Sequence, residues 1–156
     1  MENYDSDRCI SSGNNKGNDN LLLSICVPFY NRYDNLEKII NSVIKAKSRE
    51  FELLIVDNCS ERGIRDAIDF NDDRIKIIRR DIAVSGEENG IFTVVYANGK
   101  YSMFLLDKDY IEGERIDTFL DVLNENENVI AGYCKINANE SDKSYKIVSK
   151  NPILKF

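Results

Sequence analysis

The stretch LLLSICVPFYNRYDNLEKIINSVIKAKSREFELLIVDNCS, Leu21–Ser60, decides the fold class. It opens on a nearly continuous apolar run, Leu21–Phe29, of the kind found in a strand covered on both faces. Asp34 and Glu37 have the spacing of a capping box at a helix start. Leu36, Ile39, Ile40, Val43 and Ile44 then recur at the intervals that line one face of a helix. A second apolar run, Phe51–Val56, stops at Asp57. Strand, helix and strand in this order form a crossover unit, which brings the two strands parallel in one sheet.

Working outward, the alternation continues. A short helix is expected from about Gly63 to Phe70, and a strand over Arg74–Arg80. Ser85 and Glu88 form another capping box, opening a helix that carries Ile91, Val94 and Val95 and ends at Asn98-Gly99, a dipeptide suited to a left-handed cap. A strand over Tyr101–Leu106 runs into Asp107-Lys108-Asp109. One more helix is marked by Ile116, Phe119, Leu120 and Leu123, one more strand by Val129–Lys135, and a last short strand by Tyr145–Val148. The fold class is α/β, a mostly parallel sheet flanked by helices. Residues 1–20, rich in Asn, Asp, Ser and Gly, read as a disordered leader, and residues 21–156 as the folded domain.

Composition narrows the chemistry. The 156 residues suit one domain. A net charge of -6 argues against a nucleic-acid partner, because polyphosphate binding calls for a basic face. No apolar run approaches the roughly 20 residues that span a bilayer, and the polar N-terminus does not resemble a secretory signal. A cytoplasmic protein is expected. The four cysteines are scattered, without the spacing of a zinc site or a disulfide framework. Histidine is absent altogether, which excludes serine or cysteine triads built on it and histidine-ligated zinc.

In an open parallel sheet, ligands bind beyond the carboxyl ends of the strands. Polar and aromatic groups gather at three such ends: Pro28-Phe29-Tyr30-Asn31-Arg32, Asp57-Asn58-Cys59-Ser60 and Asp107-Lys108-Asp109. Two carboxylates one residue apart can reach the same hard cation, with phosphate and water completing its shell. Asp57 suits a hydrogen bond to a base or ribose, or equally a turn. Tyr30 suits stacking on a base, or packing at a strand edge. Arg79 and Arg80 are placed to approach a diphosphate, or to remain in solvent.

Together, SICVPFYNR, FELLIVDNCS, ANGKY and MFLLDKD resemble glycosyltransferase family 2, over about Leu22 to Lys135. The resemblance implies the Rossmann-like GT-A nucleotide-diphospho-sugar transferase fold. It assigns Pro28, Phe29, Tyr30, Arg32, Asp57, Asn58 and Asp107 to the nucleotide-sugar, with Asp107 and Asp109 holding Mn²⁺ or Mg²⁺. It implies sugar transfer from a nucleotide-diphosphate sugar, a UDP-sugar foremost, to a glycan or lipid-linked acceptor by metal-assisted inverting displacement, at the inner face of the membrane in bacterial polysaccharide synthesis. Asn58 stands where the family often has Asp, Cys59 where Gly is usual, Lys108 where a small residue is usual, and Tyr110 where a further Asp is frequent. Only about forty residues follow Tyr110, so the acceptor-side part is expected to be incomplete, and no residue is assigned as general base. A non-catalytic nucleotide-sugar-binding module is the alternative. A nucleotidyltransferase is a weaker one, since PFYNRYDN lacks a Gly-rich basic loop.

Overall fold

The computed structural model describes residues 21–126, 129–134 and 145–149. The expected leader, residues 1–20, lies outside them. The chain divides into two compact units, one up to Leu120 and one from Asp121.

In the first unit, β1 (Leu23–Phe29), β2 (Phe51–Asp57), β3 (Ile75–Arg79) and β4 (Tyr101–Phe104) form one sheet. Its order is β3-β2-β1-β4, and every pairing is parallel. Between the strands run α1 (Tyr33–Lys45), α2 (Ile64–Ala67) and α3 (Gly86–Val95); α4 (Gly113–Glu125) follows β4. The apolar runs are the two central strands. Ile25, Val27, Leu53, Ile55 and Val56 have no solvent exposure. The periodic face of α1, Leu36, Ile39, Ile40 and Val43, is equally buried, and Ile116 and Leu120 of α4 join the core. None of the described helices is long and apolar enough to cross a membrane.

Several local features differ from the expectation, each for a tertiary reason. Helix α1 starts at Tyr33, and Arg32 occupies the cap position without a side-chain cap bond. Asn31, at φ 55, turns the chain directly into the helix. Asp34 therefore sits in the first turn, where its charge faces the positive end of the helix dipole. At α3, Ser85 Oγ does accept from the Glu88 N–H at 3.1 Å. The helix nevertheless packs through Asn89, Gly90 and Thr93, leaving Ile91 and Val95 68% and 73% exposed. Asn89 donates to the Val56 carbonyl at 3.1 Å, and a Cβ on Gly90 would stand 3.2 Å from the Phe104 ring. Small and polar groups thus bring this helix close to the sheet.

The same helix ends at Val95 with Tyr96 as its C-cap, and Gly99 has no positive φ. Gly99 is there for space: a Cβ would meet Ser24 N at 2.6 Å and the Leu23 carbonyl carbon at 2.7 Å. Backbone cannot yield as a side-chain end can. Gly99→Ala should therefore destabilise the domain by about 1–3 kcal/mol, the usual cost of overpacking, measurable by urea unfolding.

Beside this contact lies a buried polar knot. The Glu52 carboxylate accepts from Ser24 Oγ at 2.7 Å and from the Asn98 N–H at 3.0 Å. Cys26, fully buried nearby, has its thiol pushed up to about 11, chiefly by burial and then by the Glu52 charge. A thiol so protonated is a poor nucleophile. Cys26 should stay unmodified by iodoacetamide at pH 8 in the native protein and react once urea unfolds it, as peptide mass mapping would show.

In the second unit, β5 (Val129–Cys134) and β6 (Tyr145–Ser149) pair antiparallel in a sheet of their own. The sequence predicts a strand at each of these places without giving their pairing. About ten residues separate the two strands, which suits an antiparallel return better than a helical crossover.

Candidate functional site

The strand order locates the site before any side chain is considered. From β1 the chain moves to β2 and β3 on one side, then returns to place β4 on the other. The boundary between β1 and β4 is therefore a topological switch point, where open α/β sheets form their ligand crevice. The loop after β1 carries Tyr30 and Arg32, and the loop after β4 carries Asp107 and Asp109. Asp57 and Asn58 end β2, on the far side of β1 from the acidic loop. All three clusters thus share one rim.

The β1 and β2 loops are stitched into one wall. The Asn58 N–H donates to the Phe29 carbonyl at 2.9 Å. Asn31 tolerates its positive φ as asparagine does. Its N–H donates to Ser60 Oγ at 3.0 Å, and its Oδ1 accepts from the Glu61 N–H at 2.9 Å. Tyr33 donates its hydroxyl to the Arg62 carbonyl and accepts from the Arg62 N–H.

Within that wall the acidic and amide groups are committed. Asp57 is fully buried, paired with Arg79 Nη1 at 2.9 Å and accepting from the Ser60 N–H at 2.9 Å. Asn58 donates to the Val84 carbonyl and accepts from the Val84 N–H, both at 2.9 Å. An aspartate could not make the first of these bonds, which accounts for the amide at this position. Arg79 is held on Asp57. Arg80 stacks over the Phe92 ring at 4.4 Å and faces Glu88 at 3.6 Å. Phe29 is buried edge-on against Tyr33, so it meets the rim only through its backbone. Cys59 takes φ 60, a conformation glycine would adopt freely.

The β4 side is different. The Asp107 carboxylate lies 3.4 Å from Arg32 Nε. Burial pushes its pKa above the ordinary aspartate value; Arg32, the Tyr30 N–H and Lys108 pull it back, and the Asp109 charge adds to the rise. Asp107 and Asp109 are both half-buried while Lys108 between them is exposed. Among the described residues, no hydrogen-bond donor or cation holds the Asp109 carboxylate. Tyr30 is 51% exposed at the same crevice, and Pro28 is half-buried at the end of β1.

Residues of α1 absent from the sequence expectation hold this acidic loop. Asn35 Nδ2 donates to the carbonyls of Asp107 at 2.7 Å and Asp109 at 3.2 Å. Ser42 Oγ donates to the Ile111 carbonyl. A Cβ on Gly113 would lie 2.6 Å from the Ser42 carbonyl oxygen, so α4 begins in contact with α1. Asp117 accepts from the N–H groups of Lys47 and Ser48. The seven-residue interval between Asn35 and Ser42 puts both on one helix face, but what that face meets depends on β4 landing beside it.

The donor set fits a hard divalent cation. Two half-buried carboxylates come from one loop, and no group of three or more Asp, Glu or Cys gathers among the described residues. Such a cation would draw its remaining ligands from phosphate and water, as Mg²⁺ and Mn²⁺ commonly do.

A parallel α/β sheet with an acidic loop at its switch point defines a Rossmann-like domain. The family model "Glycosyl transferase family 2" matches residues 24–156, and the chain belongs to that family. It is 29% identical over 137 residues to the Escherichia coli UDP-Glc:alpha-D-GlcNAc-diphosphoundecaprenol beta-1,3-glucosyltransferase WfgD, covering 87% of this chain and 50% of that protein. It is 30% identical over 110 residues to the abequosyltransferase RfbV of Salmonella typhimurium, covering 65% and 33%. The chain thus spans a third to a half of the length of these curated relatives. Among solved structures, S. aureus TarS 1–349 superposes with a TM-score of 0.57 at 21% identity, over 69% of this chain and 34% of that one. The same protein has been solved with UDP, matching 79% of this chain and 38% of that one. The shared architecture is the GT-A fold.

Proposed function

We propose that the rim binds a nucleotide-diphosphate sugar, a UDP-sugar, through Mn²⁺ or Mg²⁺ held on Asp107 and Asp109. The whole protein then transfers the sugar, with inversion, to a glycan or lipid-linked acceptor, at the inner face of the membrane. The observation that carries this reading is the pair of carboxylates at the β1/β4 switch point, one of them, Asp109, with no protein partner among the described residues. Family membership supports sugar transfer. UDP as the nucleotude is supported by the TarS complex and by the donor that the WfgD name states.

Each residue has a distinct task in this reading. Tyr30, exposed at the end of β1, offers its ring to the base. Pro28 and Phe29 shape the floor beneath it. Asp57 and Asn58 do not reach for the ligand with free polar atoms; they fix the wall that the base and ribose lie against. Arg32, beside Asp107 and mostly exposed, supplies positive charge toward the diphosphate. Asp107 and Asp109 present oxygen ligands at the place where the diphosphate must lie. When bound, the cation neutralises the charge that develops on the leaving diphosphate. In the displacement, the acceptor oxygen forms the new bond to the anomeric carbon as the bond to the diphosphate breaks, and the acceptor proton passes to a base. Asp117 is not that base, being engaged at the end of α1.

Calorimetric titration with UDP, with and without Mn²⁺, tests the reading. Binding should require the metal and should favour UDP over CDP and ADP by tenfold or more. Equal binding with and without Mn²⁺, or none in either case, would remove the metal-bridged site from consideration. Incubation with a UDP-sugar, followed by assay for release of UDP, separates a transferase from a module that only binds.

A further inference from the structure

We propose that Asn35 is a positioning residue that sets the direction of both carboxylates of the acidic loop. Its Nδ2 carries two hydrogens and donates to two carbonyls, those of Asp107 at 2.7 Å and Asp109 at 3.2 Å. These carbonyls flank Lys108, and the Asp109 N–H closes a turn by donating to the Leu106 carbonyl at 3.0 Å. Holding both carbonyls fixes the peptide planes on either side of the turn. The outward course of the Asp107 and Asp109 side chains then has little freedom left. Two turns further along the helix, Ser42 holds the Ile111 carbonyl in the same manner.

Asn35 is half-buried, while the apolar anchoring of α1 falls to Leu36, Ile39, Ile40 and Val43. Its amide is therefore dispensable for the core and specific to the loop. Loss of a group that orients metal ligands typically lowers metal affinity about 10–100-fold. As a statement about binding, this rests on the rim being a metal and nucleotide site. As a statement about loop order, it does not.

The test measures both on Asn35→Ala, with Asn41→Ala, an exposed change on the same helix, as the control. Amide hydrogen exchange over residues 106–111 should accelerate about tenfold in Asn35→Ala and stay unchanged in Asn41→Ala. Thermal midpoints of both variants should stay within a few degrees of the parent. Mn²⁺-dependent UDP affinity should fall at least tenfold in Asn35→Ala alone. Asn35→Asp, which keeps the shape and loses both donor hydrogens, should show the same faster exchange. Unchanged exchange in either Asn35 variant overturns the proposal, as does faster exchange with undiminished Mn²⁺-dependent affinity. If the parent protein binds no UDP with Mn²⁺ while exchange still accelerates, the metal reading fails and the hold of Asn35 on the loop stands.

Discussion

Asp109→Ala is expected to abolish the metal-dependent part of UDP binding, a loss of roughly 100-fold or about 2.7 kcal/mol at saturating Mn²⁺. The size follows from the donor set. With only two carboxylates available in the loop, removing one leaves a divalent cation half its anionic protein ligands. Asp109 is the more telling of the pair, because its carboxylate has no protein partner among the described residues, whereas Asp107 is paired with Arg32. The substitution therefore breaks no internal bond, and the thermal midpoint should hardly change. Asn35 would still grip the loop, since it binds carbonyls and not carboxylates. Calorimetry on parent and variant, each with and without Mn²⁺, isolates the metal-dependent component. Undiminished Mn²⁺-dependent affinity in Asp109→Ala would exclude this carboxylate from the site. Lys108→Ala offers a companion measurement: removing a positive charge that acts on Asp107 should raise Mn²⁺ affinity modestly.

Arg74→Ala should be the most destabilising polar substitution in the domain, by about 3–5 kcal/mol, lowering the thermal midpoint by roughly 10–15 °C. The guanidinium is buried at the far end of α1 from the site. Nη1 donates to the carbonyls of Ala46 at 2.8 Å and Ser48 at 2.9 Å; Nη2 donates to Val43 at 3.2 Å and Ile44 at 3.3 Å. Nη2 also pairs with Asp72 at 2.7 Å, and the group lies 4.9 Å from the Phe51 ring centre. One side chain thus gathers carbonyls at the end of the helix and just beyond it, and its charge complements the negative end of the helix dipole. Truncation would leave those carbonyls and Asp72 buried together. Arg74→Lys keeps the charge and loses the planar fork, so an intermediate loss is expected.

Acidity probes the same pair. The hydrogen bond from Arg74 holds the Asp72 carboxyl below its ordinary value of 3.8, against the opposing effect of burial. The folded state therefore binds this proton less readily than the unfolded chain. The contribution is complete above pH 3.8 and is lost as pH falls through the lowered folded value. Urea unfolding repeated at pH 6 and at decreasing pH should show an acid limb that is shallower in Arg74→Ala. A parallel pH dependence in both proteins would show that the pair makes no such contribution.

The strands, the main helices and the rim were legible because their signals are local. Apolar continuity marked β1 and β2 as covered on both faces, the helical interval marked the buried side of α1, and abrupt polar endings marked the carboxyl rim. Less was legible where neighbours in space decide. Ile91 and Val95 looked like a packing face, yet α3 rests on Asn89, Gly90 and Thr93 because the sheet offers the Val56 carbonyl and the Phe104 ring there. Gly99 looked like a helix cap and is instead a point of close backbone approach. Asp57 suited a ligand or a turn equally, and the fold pairs it with Arg79 and the Ser60 N–H.

By itself, then, the order of residues determined a parallel α/β domain with its polar clusters on one edge, since side-chain periodicity reports which way each residue faces within its own element. Tertiary structure alone decided which acidic groups are committed internally and which remain open, and it alone gave Asn35 and Arg74 their roles. Those bonds join segments brought together by the placement of β4 beside β1 and of β3 beside β2, and no local pattern encodes strand order.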